Sequence, residues 1–307
     1  MEKNADLSRW ALLSIAVAIV TIALKTGAWL LTGSVGLLSD AAESVVNLVA
    51  AVVAFIALRV AARPADDDHN FGHAKSEYFS AVIEGVMIVI AAVVIIVTAV
   101  DRLLHPAQLE SLGIGLLISV VAAVLNGVTA LALLRAGRTH RSITLEADGR
   151  HLMTDVWTTA GVIVGVGLVA LTGWLPLDAL VAIGVAINIV VVGFRLIRRS
   201  TAGLMDVALD SGDLAAITGV LGRFRDGDAA IGAGPGEIEF HDLRTRHSGR
   251  LRFAQLHMLV PGQWRVQRAH DAAEDVEAAL RDVVPGLVVT IHTEPIEDPR
   301  AYEAWRR

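Results

Sequence analysis

Six long apolar runs, separated by short polar segments, fill the first two thirds of the chain. They cover residues 10–32, 34–58, 79–100, 112–134, 144–172 and 177–195. Each is close to the ~20 residues that carry a helix across a hydrocarbon core. The pattern predicts six transmembrane helices. Between them lie a tight Thr32–Gly33–Ser34 turn, a polar stretch ARPADDDHNFGHAKSEY, a connection DRLLHPAQLE, a basic loop with Arg135, Arg138, His140 and Arg141, and a turn at 173–176.

From about residue 207 the periodicity changes. LDSGDLAAITGVLGRF reads as a helix capped by Asp210 or Ser211. EIEFHDLRTR and RLRFAQLHMLV alternate apolar and polar positions, as half-buried strands do, with HSG as the hairpin turn between them. Residues 264–283 read as a helix and GLVVTIHTE as a third strand. The order αββαβ predicts a small two-layer domain, too polar to span a membrane. The division is a membrane domain over 1–206 and a cytoplasmic domain over 207–307.

The second and fifth apolar runs each carry a cluster of polar and ionisable residues, which are costly in a bilayer and mark function by default. The fifth carries Asp148, His151 and Asp155 at i, i+3 and i+7, on one side of a helix. The second repeats that spacing with Asp40, Glu43 and Asn47. The two sets are expected to face each other across one site. His and Asp four apart can ligate one divalent ion. A dication would neutralise Glu43 and Asp155, and protons could take its place on the carboxylates or on His151, which is a physical basis for exchanging metal against protons. In the 62–78 loop, His69 and His73 are four apart beside Asp66, Asp67 and Asp68 and suit a second metal site. His241 and His257 fall on neighbouring strands, and His292 and Glu294, two apart, share a face of the third.

Composition narrows the picture. Hydrophobic residues make up 54% of the chain and mean hydropathy is +0.58, well above a soluble domain. There is no cysteine, so any metal site uses His, carboxylate or amide ligands. A net charge of −6 argues against nucleic-acid binding. No HExxH or nucleophile motif points to an enzyme, and no cleavable signal is evident. Lys3, Arg9, Arg59, Arg63, Lys75, Arg135, Arg138, Arg141, Arg195, Arg198 and Arg199 all fall on one side of the six runs. The positive-inside rule therefore puts both termini in the cytoplasm.

GLLSDAAESVVN, DDDHNFGHAKSE, EADGRHLMTDVW and HDLRTRHSG together resemble the cation diffusion facilitator family of divalent-metal exporters, over nearly the whole chain. The resemblance implies a multi-pass protein of the inner (plasma) membrane, a homodimer, proton-coupled export, and a ferredoxin-like cytoplasmic domain. It implies a transport site in which His151 and Asp155 pair with Glu43 and Asn47. Asn47 departs from the family's carboxylate and leaves the site one charge poorer, and Asp40, one turn earlier, could replace it. The resemblance also matches Asp66, His69 and His73 to a metal-binding loop, and Lys75 and Asp206 to a charge pair near the membrane surface of the dimer. It matches His241, His257, His270, His292 and Glu294 to a dimer-interface metal cluster; His247, in the turn, has no match. The cargo would be Zn²⁺ or a related ion among Fe²⁺, Co²⁺, Cd²⁺ and Mn²⁺, which imidazole and carboxylate do not rank. The alternative is a membrane-anchored metal sensor or scaffold acting through its cytoplasmic domain.

Overall fold

The structure is a computed structural model that describes residues 7–32, 35–105, 113–174, 176–227 and 234–303. The chain divides into a helical unit, residues 3–202, and a smaller unit that begins at Gly203. The helical unit holds α1 (Ser8–Thr32), α2 (Val35–Ala61), α3 (Ser76–Leu104), α4 (Gly113–His140), α5 (Ile143–Thr172) and α6 (Pro176–Leu204). Among the described residues, four helices are long and apolar enough to cross a membrane: Ser8–Gly27, Ser76–Leu104, Leu117–His140 and Ala179–Leu204. The described apolar stretch of α2 is the shorter Asn47–Ala61.

The helices outrun their apolar runs. Arg135, Arg138 and His140, expected in a loop, belong to the last turns of α4. Arg is a good helix former and nothing in RAGRTH breaks the helix hard. The connection to α5 shrinks to Arg141 and Ser142. Arg141 takes the left-handed conformation (φ 53), with Ser142 N bonded to Gly137 O and Arg141 N to Arg138 O. This is the bond pattern of a Schellman cap, usually built on glycine. The Ser142 hydroxyl then caps α5 by accepting from Leu145 N.

Glycines set two close helix seams. A Cβ on Gly137 would meet Glu146 N at 2.9 Å, and one on Gly149 would meet Ala130 O at 3.1 Å, so α4 and α5 pack backbone to backbone. Gly85 on α3 and Gly193 on α6 do the same, each hypothetical Cβ lying 3.1–3.2 Å from the other's carbonyl oxygen.

The smaller unit runs α7 (Ser211–Arg225), β1 (Glu239–Ser248), β2 (Leu251–Val260), α8 (Val266–Val283), β3 (Leu287–Pro295) and a 3-10 turn, Pro299–Tyr302. Asp210 caps α7 by accepting from Asp213 N. The sheet order is β1-β2-β3, with β1 and β2 antiparallel and β3 parallel to β2. A parallel neighbour needs a crossover, which α8 supplies. Ile217, Val220 and Phe224 of α7, Val276 and Leu280 of α8, and Leu256 and Met258 of β2 form the core. The hairpin turn is Gly249–Arg250 rather than HSG: His247 and Ser248 stay in β1, where His247 pairs with Arg252. Gly249 supplies the positive φ (58) that the two-residue turn requires.

Candidate metal centres

In the helical unit, one amide joins α2 to α5. His151 donates through Nε2 to Asn47 Oδ1 at 2.8 Å, and Asn47 Nδ2 donates to Asp155 Oδ2. His151 and Asp155, one turn apart, therefore both face α2, and Asn47 and His151 are buried. The same Asp155 oxygen accepts from Asn126 Nδ2 of α4 at 2.9 Å. Sequence reasoning missed Asn126, because a single Asn in an apolar run reads as ordinary helix bonding. Asp40 and Glu43 lie on α2, but their side chains fall outside the described residues.

Asp148 belongs to other company. It is buried and accepts from Ser14 Oγ of α1 at 3.1 Å. The i, i+7 spacing aligns it with Asp155, but about 10 Å of rise separates them along the axis, so they meet different helices. On α3, Glu77 and Glu84 are fully buried, and neither was singled out in the sequence. Glu77 accepts from the Ser142 hydroxyl at the start of α5, and its backbone carbonyl accepts from Thr144 Oγ1 at 3.1 Å.

The loop before α3 brings Asp66, His69 and His73 together. Asp66 Oδ1 accepts from His69 N at 2.7 Å and lies 3.3 Å from His69 Nδ1, and Oδ2 lies 3.3 Å from His73 Nε2. That backbone N–H is the main reason the Asp66 carboxyl sits below its usual range. His73 Nδ1 lies 3.2 Å from Pro64 O, where it can donate to that carbonyl, and its Nε2 is directed at Asp66. Separations near 3.3 Å match the edge of a tetrahedron about an ion with bonds of about 2.0–2.1 Å. Lys75 sits at the N-terminus of α3. Asp206, in the smaller unit, accepts from Arg246 Nη1 at 3.1 Å.

The smaller unit aligns three imidazoles by register. His241 pairs with His257 across β1–β2, and His257 pairs with His292 across β2–β3, so all three stand side by side. Their ring centroids are spaced at 5.0 Å in both steps. Glu294, two residues along β3, lies on the same face: its Oε2 is 3.1 Å from His241 Nε2 and 3.0 Å from His257 Nδ1, and its Oε1 is 3.4 Å from His292 Nε2. Burial pushes the Glu294 carboxyl up, but the hydrogen bonds from His241 and His257 outweigh it, and the balance lies below the usual range. His241, His257 and Glu294 offer ligand atoms within 4.8 Å of one another. His292 stands at the rim, and His270 on α8 is exposed. A bulge between His241 and Arg244 puts Asp242 at φ 48, with Oδ2 3.9 Å from His257 Nε2. Asp242 was not foreseen, since a bulge leaves no clear mark in an alternating pattern.

The chain is similar to known cation-efflux proteins. Residues 11–205 match the cation efflux transmembrane domain and residues 228–296 the cation efflux protein cytoplasmic domain. An uncharacterized transporter of Synechocystis sp., sll1263, is 47% identical over 98% of this chain and 94% of its own length. The cation-efflux pump FieF of Salmonella arizonae is 31% identical over 94% of this chain and 92% of its own. A solved structure of the zinc form of the transporter CzrB is 32% identical over 29% of this chain and 91% of its own, with a TM-score of 0.25. The two domain matches, together spanning the helical unit and most of the sheet, place the chain in the cation diffusion facilitator family of cation-efflux transporters.

Proposed function

We propose that this transporter exports Zn²⁺ or a closely related divalent ion from the cytoplasm in exchange for protons. It would work as a homodimer of six-span chains in the inner membrane, with both termini cytoplasmic. The observation that carries the reading is the Asn47 amide joining His151 and Asp155 between α2 and α5. A carboxylate and an imidazole, held facing another helix in an apolar bundle, need a cation or a proton to be tolerated there. Glu43 and Asn47 from α2, with His151 and Asp155 from α5, would make the ligand set, and Asp40 would complete the shell where Asn47 supplies only a neutral oxygen. Metal needs neutral imidazole and ionised carboxylate, so proton uptake on the far side would drive its release.

The loop set of Asp66, His69 and His73 would be a second site, with Lys75 and Asp206 as a charge pair at the dimer's membrane surface. His241, His257, His292 and Glu294 would bind cytosolic metal in a ferredoxin-like dimerisation domain over 207–307, with His270 joining from α8. Metal there would tighten the dimer by linkage. A sensor or scaffold would need only these outer clusters, and the polar set inside the bundle argues for transport. The test is metal uptake into vesicles of the reconstituted chain, with and without a pH gradient. Uptake that runs downhill only, blind to the gradient, would overturn the exchange.

A further inference from the structure

In the smaller unit, His257 has a carboxylate at each end of its ring. Its Nδ1 lies 3.0 Å from Glu294 Oε2, and its Nε2 lies 3.9 Å from Asp242 Oδ2. The two nitrogens of an imidazole point away from each other, so Asp242 and Glu294 stand on opposite sides of the ring. His241 Nε2 is also turned to Glu294 Oε2, at 3.1 Å. His241, His257 and Glu294 therefore converge on one point, and Asp242 lies across the ring from it.

Asp242 holds its place through an unusual backbone. It sits in the β1 bulge between His241 and Arg244, with φ 48. That left-handed conformation is uncommon outside glycine, and Asp tolerates it better than most residues. Bulges beside sites re-aim a side chain, and this one brings the Asp242 carboxylate into a cleft lined by Gln255, His257, Thr290 and His292. Arg244 Nε donates to Asp242 Oδ1 at 2.9 Å, which leaves Oδ2 to His257. The charged and titratable groups about the ring are thus Glu294 and His241 on one side and Asp242 with Arg244 on the other. The remaining one is the register neighbour His292, whose Nε2 lies 3.4 Å from Glu294 Oε1.

A neutral imidazole has one N–H and one lone pair, and the partner of the N–H decides which nitrogen can ligate a metal. A carboxylate beside Nε2 favours the hydrogen there and leaves the lone pair on Nδ1, toward His241 and Glu294. The 3.9 Å separation is roughly 1 Å beyond hydrogen-bond range, a gap that a small turn of the ring closes. His241 has no such partner: its Nδ1 is buried without a hydrogen bond among the described residues.

We propose that Asp242 is a positioning residue of this cluster: it accepts from His257 Nε2 and so presents Nδ1 to a divalent ion held with His241 and Glu294. The inference rests on the reading of that cluster as a metal site.

The test uses the full chain with its histidines labelled for nitrogen NMR, and the His257 ring identified by its loss in His257→Gln. In the wild type, Zn²⁺ is expected to bind Nδ1 while Nε2 keeps a hydrogen, seen as a slowly exchanging proton. Asp242→Gly removes the carboxylate and gives φ 48 to the residue that adopts it without strain. Its melting temperature without metal is expected to be no lower than that of the wild type, because an exposed ion pair with Arg244 contributes little. Zn²⁺ is nevertheless expected to bind at His257 roughly 10–100-fold more weakly, with the Nε2 proton exchanging fast. Asp242→Asn, which keeps a neutral acceptor, is expected to fall between the two, and it carries the test if the glycine variant fails to fold. Wild-type affinity in both variants overturns the role of Asp242 and leaves the cluster standing. Zn²⁺ on Nε2 in the wild type also overturns it and makes Asp242 a ligand. A His257 ring that Zn²⁺ does not move in the wild type removes the metal cluster itself, and the positioning role with it.

Discussion

Replacing Asn47 by aspartate probes the proposed transport site where it lacks the family's carboxylate. Asn47 Nδ2 donates to Asp155 Oδ2, and Asn47 Oδ1 accepts from His151 Nε2. Asn47→Asp keeps the second bond and turns the first into a contact between two carboxylate oxygens. A hydrogen bond to a charged acceptor, about 1.5–3 kcal/mol, is lost. Two unit charges ~4 Å apart then repel by about 4 kcal/mol at an effective dielectric of ~20. Before an ion arrives, the variant relieves that cost only by taking a proton, and metal binding must expel it. Two results follow. Zn²⁺ affinity at neutral pH rises at least tenfold, since about 1.4 kcal/mol of the repulsion suffices for that. One more proton is released per ion bound. Because affinity changes fall mostly on dissociation, turnover in vesicles falls. Calorimetry in buffers of different ionisation enthalpy reads the affinity and the proton count together. An unchanged affinity with an unchanged proton count would refute the reasoning and remove Asn47 from contact with the ion.

Asp155→Ala is expected to abolish metal uptake while the detergent-solubilised protein keeps its elution volume; uptake at the wild-type rate would remove Asp155 from the site. Glu294 has a carboxyl held below its ordinary value of 4.5 in the folded chain, so its stabilising contribution is present above that value and lost as pH falls through the folded one. Melting of the smaller unit should therefore drop on acidification below about pH 4.5 in the wild type and drop less in Glu294→Gln. Arg252 Nη2 lies 2.8 Å from Asp213 in a mostly buried pair; Arg252→Ala is expected to cost that unit about 3 kcal/mol, read from its denaturant midpoint. Gly149→Val should push α4 from α5 and cost about 2 kcal/mol by overpacking, with lower thermal stability and slower transport together.

The features legible in the sequence were those with a period or a repeated spacing. Six apolar runs announced six helices, and matching i, i+3, i+7 sets announced that α2 and α5 meet. His151 and Asp155 were readable because four residues make one turn. Their third polar neighbour, Asn126, was not, because only the packing of α4 on α5 brings it to Asp155. In the smaller unit, two-residue alternation placed Glu294 beside His292. The alignment of His241, His257 and His292 depends on strand register, which the hairpin turn sets. That turn was misplaced by a residue or two, which moved His247 out of the strand it occupies. The α4 overrun had the same root: hydropathy marks where a bilayer ends, and a helix ends where its cap is.

The glycine seams have a mechanical consequence. Where backbones touch, helices cannot slide without collision, so α4 with α5 behaves as one jaw and α3 with α6 as another brace. Asn126 and Asp155 ride on the same jaw and stay in register through any swing. Asn47 rides on α2, and its hold on that jaw is a pair of hydrogen bonds, which break and reform cheaply beside a steric seam. A rocking motion between the two sides would open the cradle along the α2–α5 line first. Under the proposed transport the asparagine would act as a latch: shut, it holds an imidazole and a carboxylate together, and an arriving ion would have to displace it before the jaws could move.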